Sequence, residues 1–129
     1  MHHILIIEDD DLLALALTMA LRSLPHVTVH YAPDGEQGLA AAALRRPDLI
    51  ILDYMLPGHS GLEVTAELRR QGLGLPILMM TAYDAPLLRQ AARETGVTEL
   101  MAKPFLVDEV LNVCAFLLAT VSEQAVAAG

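Results

Sequence analysis

Five short apolar runs set the limits on how this chain can fold. Ile4–Ile7 halts at Glu8-Asp9-Asp10-Asp11, and Leu49–Leu52 halts at Asp53. Ile77–Met80 halts at Thr81, and the brief Leu100-Met101-Ala102 leads into Lys103-Pro104. The fifth, Val27–Tyr31, is short and β-branched, as expected of a strand nearer an edge. Longer helix-forming segments separate them. Leu12–Leu24 carries aspartates at its positive N-terminal end, with Asp10 or Asp11 as cap and Pro25 beyond its close. Pro33-Asp34-Gly35 marks a turn before Glu36–Arg45, whose four successive alanines favour a helix. Ser60 and Glu63 form a capping-box signature for a helix to Arg70, ended by Gly72-Leu73-Gly74. Pro86 suits the first turn of a fourth helix closed by Gly96, and Val107–Ser122 is the last. Strands apolar on both faces and separated by helices imply a parallel sheet covered on both sides. Right-handed crossovers then give a three-layer, doubly wound α/β fold.

Composition narrows the classes. At 129 residues the chain fits one domain, and no linker or repeat divides it. An apolar fraction of 54% excludes a disordered tail. It indicates no membrane span: the uncharged stretches Leu12–Leu21, Gln71–Tyr83 and Val110–Val121 fall short of about 18–20 residues. No basic segment precedes a cleavable apolar run, so an export signal is not visible and a cytoplasmic location is expected. The single cysteine, Cys114, suits a reducing compartment. A net charge of −8 argues against direct nucleic-acid binding by this domain. Lys103 is the only lysine among eight basic residues.

In such a fold the carboxyl ends of the strands share one rim, where ligands bind. Glu8 and Asp9 follow the first strand, Asp53 the third, Thr81 the fourth and Lys103 the fifth. Each alone is ordinary at a strand end, as a helix cap, a turn former or a solvated lysine. Together they bring three carboxylates, a hydroxyl and an ammonium into one place. Carboxylates so close repel unless a cation lies among them. Hard oxygen donors suit Mg2+ or Mn2+ rather than zinc, and His59 reads as a solvated loop residue. An aspartate flanked by a cation, a hydroxyl and a lysine is a layout for receiving a phosphoryl group in line. Nucleotide binding lacks its glycine cradle, since neither G-x-x-x-x-G-K-[ST] nor G-x-G-x-x-G occurs.

Four stretches in order, Ile4–Asp10, Asp48–Gly58, Met80-Thr81-Ala82 and Ala102–Phe105, resemble the receiver domain of two-component response regulators. The resemblance covers about residues 2–121. It implies a flavodoxin-like sheet of order 2-1-3-4-5 with five helices, and a receiver over 1–122 followed by a tail or the start of a linker at 123–129. It implies phosphorylation of Asp53 by a sensor histidine kinase or a histidine phosphotransfer protein. Mg2+ would be held by Asp9, Asp53 and the backbone carbonyl of Met55, with Glu8 acting through water. Thr81 and Lys103 would contact the phosphoryl group, and Lys103-Pro104 would be a cis peptide. Such a domain is a switch that assists its own phosphorylation and dephosphorylation, not an enzyme with an external substrate. Haloacid-dehalogenase-like phosphatases need a second aspartate where Met55 stands.

The chain departs from that pattern twice. Receivers commonly carry tyrosine or phenylalanine where this chain has Leu100, so a reduced response of the fifth strand is expected. This keeps open a second reading, a receiver-like interaction module with weak or no phosphorylation-driven switching. The last helix also lacks the charged pairs usual in the winged-helix branch. Val110, Cys114, Leu117 and Val121 form its core stripe. Phe116 lies off that stripe with Val113 beside it, a candidate contact for a second copy or an output domain through helix 4, strand 5 and helix 5. Met55 and Tyr83, two residues after Asp53 and Thr81, are expected to flank the path of an attacking water and slow hydrolysis.

Overall fold

The computed structural model describes the backbone of residues 1–128 and the side chains of residues 1–121. Strands and helices alternate as β1 (His2–Ile7), α1 (Asp11–Leu21), β2 (Val27–Ala32), α2 (Gly35–Leu44), β3 (Leu49–Asp53), α3 (Gly61–Arg70), β4 (Ile77–Thr81), α4 (Pro86–Thr95), β5 (Glu99–Ala102) and α5 (Val107–Ala128). All strand pairings are parallel, in the order β2-β1-β3-β4-β5.

The period-2 alternation of the strands divides the core into two layers. Ile4, Ile6, Leu49, Ile51, Leu78 and Met80 pack with Leu17 and Leu21 of α1 and with Val110, Cys114, Leu117 and Leu118 of α5. Leu5, Ile7, Ile50, Leu52, Ile77 and Met79 face α2, α3 and α4, where they meet Ala42, Val64, Leu68 and Ala92. Each fully buried leucine or isoleucine is worth about 1.5–3 kcal/mol of transfer free energy. β1, β3 and β4 lie inside the sheet and are apolar on both faces, whereas the edge strand β2 is only half-buried. Gly38 lets α2 approach β1 closely, because a Cβ there would lie 2.5 Å from Ile7 Cδ1.

Two helix ends differ from expectation by more than one residue. α1 ends at Leu21 rather than Leu24, because Ser23 and Leu24 turn back to the carbonyls of Ala20 and Leu21. His26, at φ 57°, then redirects the chain into β2. α5 does not stop at Ser122: with no proline or glycine to break it, its backbone continues through the segment expected as a tail, to Ala128. Gly129 lies outside the described residues. Val113 also differs, since it packs against the α1–α5 core layer and leaves Phe116 as the exposed aromatic of α5, 68% accessible.

Candidate functional site

The sheet register aligns the ends of four strands. Ile7 pairs with Leu52, Asp53 with Met80, and Thr81 with Ala102, so the residues just past each pair face one another across the rim. Asp10 caps α1, its carboxylate accepting from the backbone N–H groups of Leu12 and Leu13. That holds the turn that presents Glu8 and Asp9. Ser60 and Glu63 close the capping box of α3, each accepting from the other's backbone N–H. Gly61, next in sequence, donates to the Tyr54 carbonyl at 2.7 Å. A Cβ on Gly61 would sit 2.6 Å from the Asp53 carbonyl oxygen, so only glycine lets α3 start this close to the β3 end.

Carboxylate oxygens of Glu8, Asp9 and Asp53 lie within 4.8 Å of one another. Glu8 and Asp53 are buried, and Asp9 is exposed at the mouth. Lys103 Nζ stands 3.1 Å from Asp53 Oδ1 and 3.7 Å from Glu8 Oε2. The second distance is too long for a hydrogen bond. Glu8 Oε2 is therefore fully buried without a hydrogen-bond partner, while Oε1 accepts from the Asp10 backbone N–H at 3.3 Å. Burial first, then the charge of Asp53, pushes the Glu8 carboxyl up to about 7, against the pull of Lys103. Burial also raises Asp53, and the Lys103 ammonium partly offsets it.

One lysine facing three carboxylates leaves the site short of positive charge. A buried oxygen without a donor among hard oxygen ligands fits a Mg2+ or Mn2+ ion, which retains several waters beside a few carboxylates. The donor set does not suit zinc, as neither histidine nor cysteine joins it.

The expected residues stand together with some differences in exposure. Thr81 is buried, and its Oγ1 accepts from the Tyr83 backbone N–H at 2.9 Å. Lys103 is positioned through its backbone N–H, which donates to the Thr81 carbonyl at 2.7 Å, and the Lys103-Pro104 bond is cis. Met55 and Tyr83 are 58% and 59% exposed, so both side chains stand at the rim facing solvent. Leu100 is half-buried and packs on the α2–α4 side of the sheet. His59 is exposed, in agreement with its reading as a loop residue. Sequence reasoning missed Gly61, for which the Ser60-Gly61 step into a capped helix was the available signal. It also missed the Tyr31 hydroxyl, which donates to Asp11 Oδ1 at 2.9 Å and holds that carboxylate beside β2. No spacing rule marks a contact between residues 20 apart in sequence.

Comparison with known proteins bears on this arrangement. The family model described as the response regulator receiver domain matches residues 4–115. The probable transcriptional regulatory protein TcrX of Mycobacterium tuberculosis is 41% identical over 108 residues, 84% of this chain and 46% of that protein. The alkaline phosphatase synthesis transcriptional regulatory protein PhoP of Bacillus subtilis is 39% identical over 107 residues, 83% of this chain and 44% of that protein. The chain thus spans about half the length of the curated relatives it matches. Among solved structures, a response regulator from Chloroflexus aurantiacus superposes with a TM-score of 0.83 at 34% identity, covering 92% of this chain and 98% of that one. With five parallel strands in the order 2-1-3-4-5 and a family match over most of its length, the chain belongs to the response regulator receiver domains of two-component signal transduction.

Proposed function

We propose that Asp53 is the phosphoacceptor of this receiver, charged by a sensor histidine kinase or a histidine phosphotransfer protein in a reaction that depends on Mg2+, with Mn2+ able to replace it. The observation that carries this reading is the buried, donorless Glu8 Oε2 beside an Asp53 carboxylate already held 3.1 Å from Lys103 Nζ. Glu8, Asp9, Asp53 and the backbone carbonyl of Met55 are the residues that would hold the ion, Glu8 through a water. When bound, it supplies positive charge beside the oxygens of the transferring group.

An Asp53 carboxylate oxygen attacks the phosphorus of a phosphohistidine in line. The phosphorus–nitrogen bond breaks, the departing imidazole takes up a proton, and an acyl phosphate remains on Asp53. Lys103 moves little to meet the new phosphoryl oxygens, because its ammonium already faces the nucleophile. The Thr81 hydroxyl proton is free to be donated, since the Tyr83 N–H engages only its lone pair. Hydrolysis reverses the state: water attacks phosphorus, the bond to Asp53 breaks, and phosphate leaves. Met55 and Tyr83, two residues after Asp53 and Thr81, restrict that water, so the phosphoaspartate lasts minutes or longer; loss within seconds in Mg2+ alone would contradict this. The protein assists these two steps on itself and turns over no external substrate.

The output surface lies on α4, β5 and α5 and includes Phe116, which meets a second copy or an output domain. The receiver occupies residues 1–122, and 123–129 serves as a C-terminal tail or the start of a linker. No described helix is long and apolar enough to cross a membrane, and a cytoplasmic location accords with the proposed partners. TcrX and PhoP are named transcriptional regulators. With a net charge of −8, this chain is not expected to contact DNA directly.

Incubation with acetyl phosphate and Mg2+ is expected to add one phosphate to the intact mass, and Asp53→Asn to abolish it. Absence of an adduct on the wild-type chain would instead support the second reading, an interaction module. Leu100 favours that alternative for the switching step. It occupies the place of the usual aromatic and is already packed on the sheet, which supports a reduced response of β5. A full-sized rearrangement of α4 and β5 in NMR shifts on phosphorylation would overturn the reduced response.

A further inference from the structure

α4 is held very unequally at its two ends, and a side chain from α3 accounts for much of the difference. At the N-terminal end, residues Ala82 to Leu87 are all exposed and Ala85 offers no side-chain cap. The ion pair of Asp84 with Arg89 is solvent-exposed. The Tyr83 N–H bond to Thr81 Oγ1 ties this segment to the sheet. Ala92 is the single buried residue of the helix.

The C-terminal end is closed by many bonds. Gly96, at φ 111°, donates to the Ala92 and Arg93 carbonyls, and the Val97 N–H donates to Ala92 at 2.9 Å. Thr98 N–H donates to the Ile77 carbonyl at 2.9 Å, and Thr98 Oγ1 accepts from the Ile77 N–H at 3.0 Å. Over this end lies the guanidinium of Arg69. Its Nε and Nη2 donate to the Gly96 carbonyl at 3.1 and 2.7 Å. Its Nη1 donates to the carbonyls of Leu73 and Leu75 at 2.6 and 2.7 Å. Neighbouring Arg70 pairs with Glu67, whereas Arg69 is half-buried and directs its donors to backbone oxygens. A Cβ at position 96 would strain the backbone at φ 111° and, 3.0 Å from Arg69 Cγ and Nε, would press on the arginine side chain. The planar fork of arginine reaches three carbonyls at once, which the single nitrogen of lysine cannot do in this geometry.

We infer that Arg69 is a positioning residue that clamps the C-terminal end of α4 to α3 and to the 73–75 loop, so that α4 opens only from the end attached to Thr81. The clamp belongs to the unphosphorylated fold; only the direction of the signal through Thr81 rests on the phosphoacceptor reading. A change at the Thr81 hydroxyl releases Tyr83 and the uncapped first turn, while Gly96–Thr98 stays fixed beside β5.

Residue-resolved amide hydrogen exchange on the full chain tests this. In the wild type, Arg89 and Gln90 are expected to exchange at least about tenfold faster than Gly96 and Val97. Arg69→Met should raise exchange at Gly96–Thr98 by about tenfold and leave β1 and β3 protected, and Arg69→Lys should fail to restore the wild-type pattern. Even exchange along wild-type α4 overturns the clamp without recourse to any variant, as does an equal rise across all elements in both variants, which would indicate general stability alone. With acetyl phosphate and Mg2+, faster exchange confined to residues 82–91 is expected, and its spread across Gly96 overturns the clamp. Failure to form an adduct in that arm counts against the phosphoacceptor reading, and the unphosphorylated samples still decide the clamp.

Discussion

The two ends of the parallel sheet treat their polar groups in opposite ways. At the amino ends of the strands, Asp48, His3, Thr28 and Thr98 complete hydrogen bonds within the fold. Asp48 Oδ2 accepts from the His3 N–H at 2.7 Å while the Asp48 N–H donates to the His3 carbonyl. His3 Nδ1 meets Thr28 Oγ1 at 3.1 Å, and Thr98 Oγ1 accepts from Ile77. At the carboxyl ends, Glu8 Oε2 is buried without a donor and shares its surroundings with Asp53. Both ends are made by the same strands and differ in what their polar groups are for. The amino end is satisfied within the fold, and the carboxyl end keeps a buried carboxylate oxygen without a donor.

The largest expected effect is on the added chemistry. Lys103→Met should slow phosphorylation by acetyl phosphate about 100-fold or more, the usual cost of removing one donor to a developing charge. An unchanged rate by intact-mass kinetics would remove Lys103 from the reaction.

Stability should separate the two ends by sign. Asp48→Ala leaves the His3 N–H without its acceptor and is expected to cost about 1–3 kcal/mol in urea unfolding. Glu8→Gln removes a buried charge beside Asp53 and is expected to stabilise the metal-free protein by about 1–3 kcal/mol at pH 8. Equal signs for the two variants would break the contrast.

The pH dependence sharpens it. Glu8 is raised from 4.5 to about 7 in the fold, so the folded state holds that proton more tightly than the unfolded chain. Its contribution to stability is fully present below about 4.5 and is lost as pH rises through about 7. Asp53 is shifted in the same direction and adds to the loss. Metal-free wild type should therefore lose stability between pH 5 and 8, and Glu8→Gln should flatten much of that slope. Added Mg2+ should raise the wild-type melting temperature at pH 8 more than that of the variant.

The sequence carried the architecture because β1, β3 and β4 are apolar on both faces, which only a covered parallel sheet explains. It carried the grouping of the candidate site because Glu8, Asp53, Thr81 and Lys103 each stand at the end of a strand, and the fold brings those ends to one rim. It did not carry Arg69, which beside Arg70 resembles a solvated basic helix end. Arg69 finds three carbonyls only because the loop after α3 and the close of α4 happen to meet there. The end of α1 and the continuation of α5 depended on local turn geometry and on the absence of a breaker, neither of which leaves a periodic mark.

The smallest expected effect concerns the last helix. Phe116→Glu should weaken self-association in sedimentation, and a monomer in both wild type and variant would dispose of contact between copies through this residue.

The most direct test of a rim built to receive phosphate is to locate the modified residue. Protein treated with acetyl phosphate and Mg2+, then reduced with borohydride, should yield homoserine at position 53 and nowhere else, because reduction of an acyl phosphate converts aspartate to that residue. Reduction products at another carboxylate, or none from protein that binds Mg2+, would contradict the account.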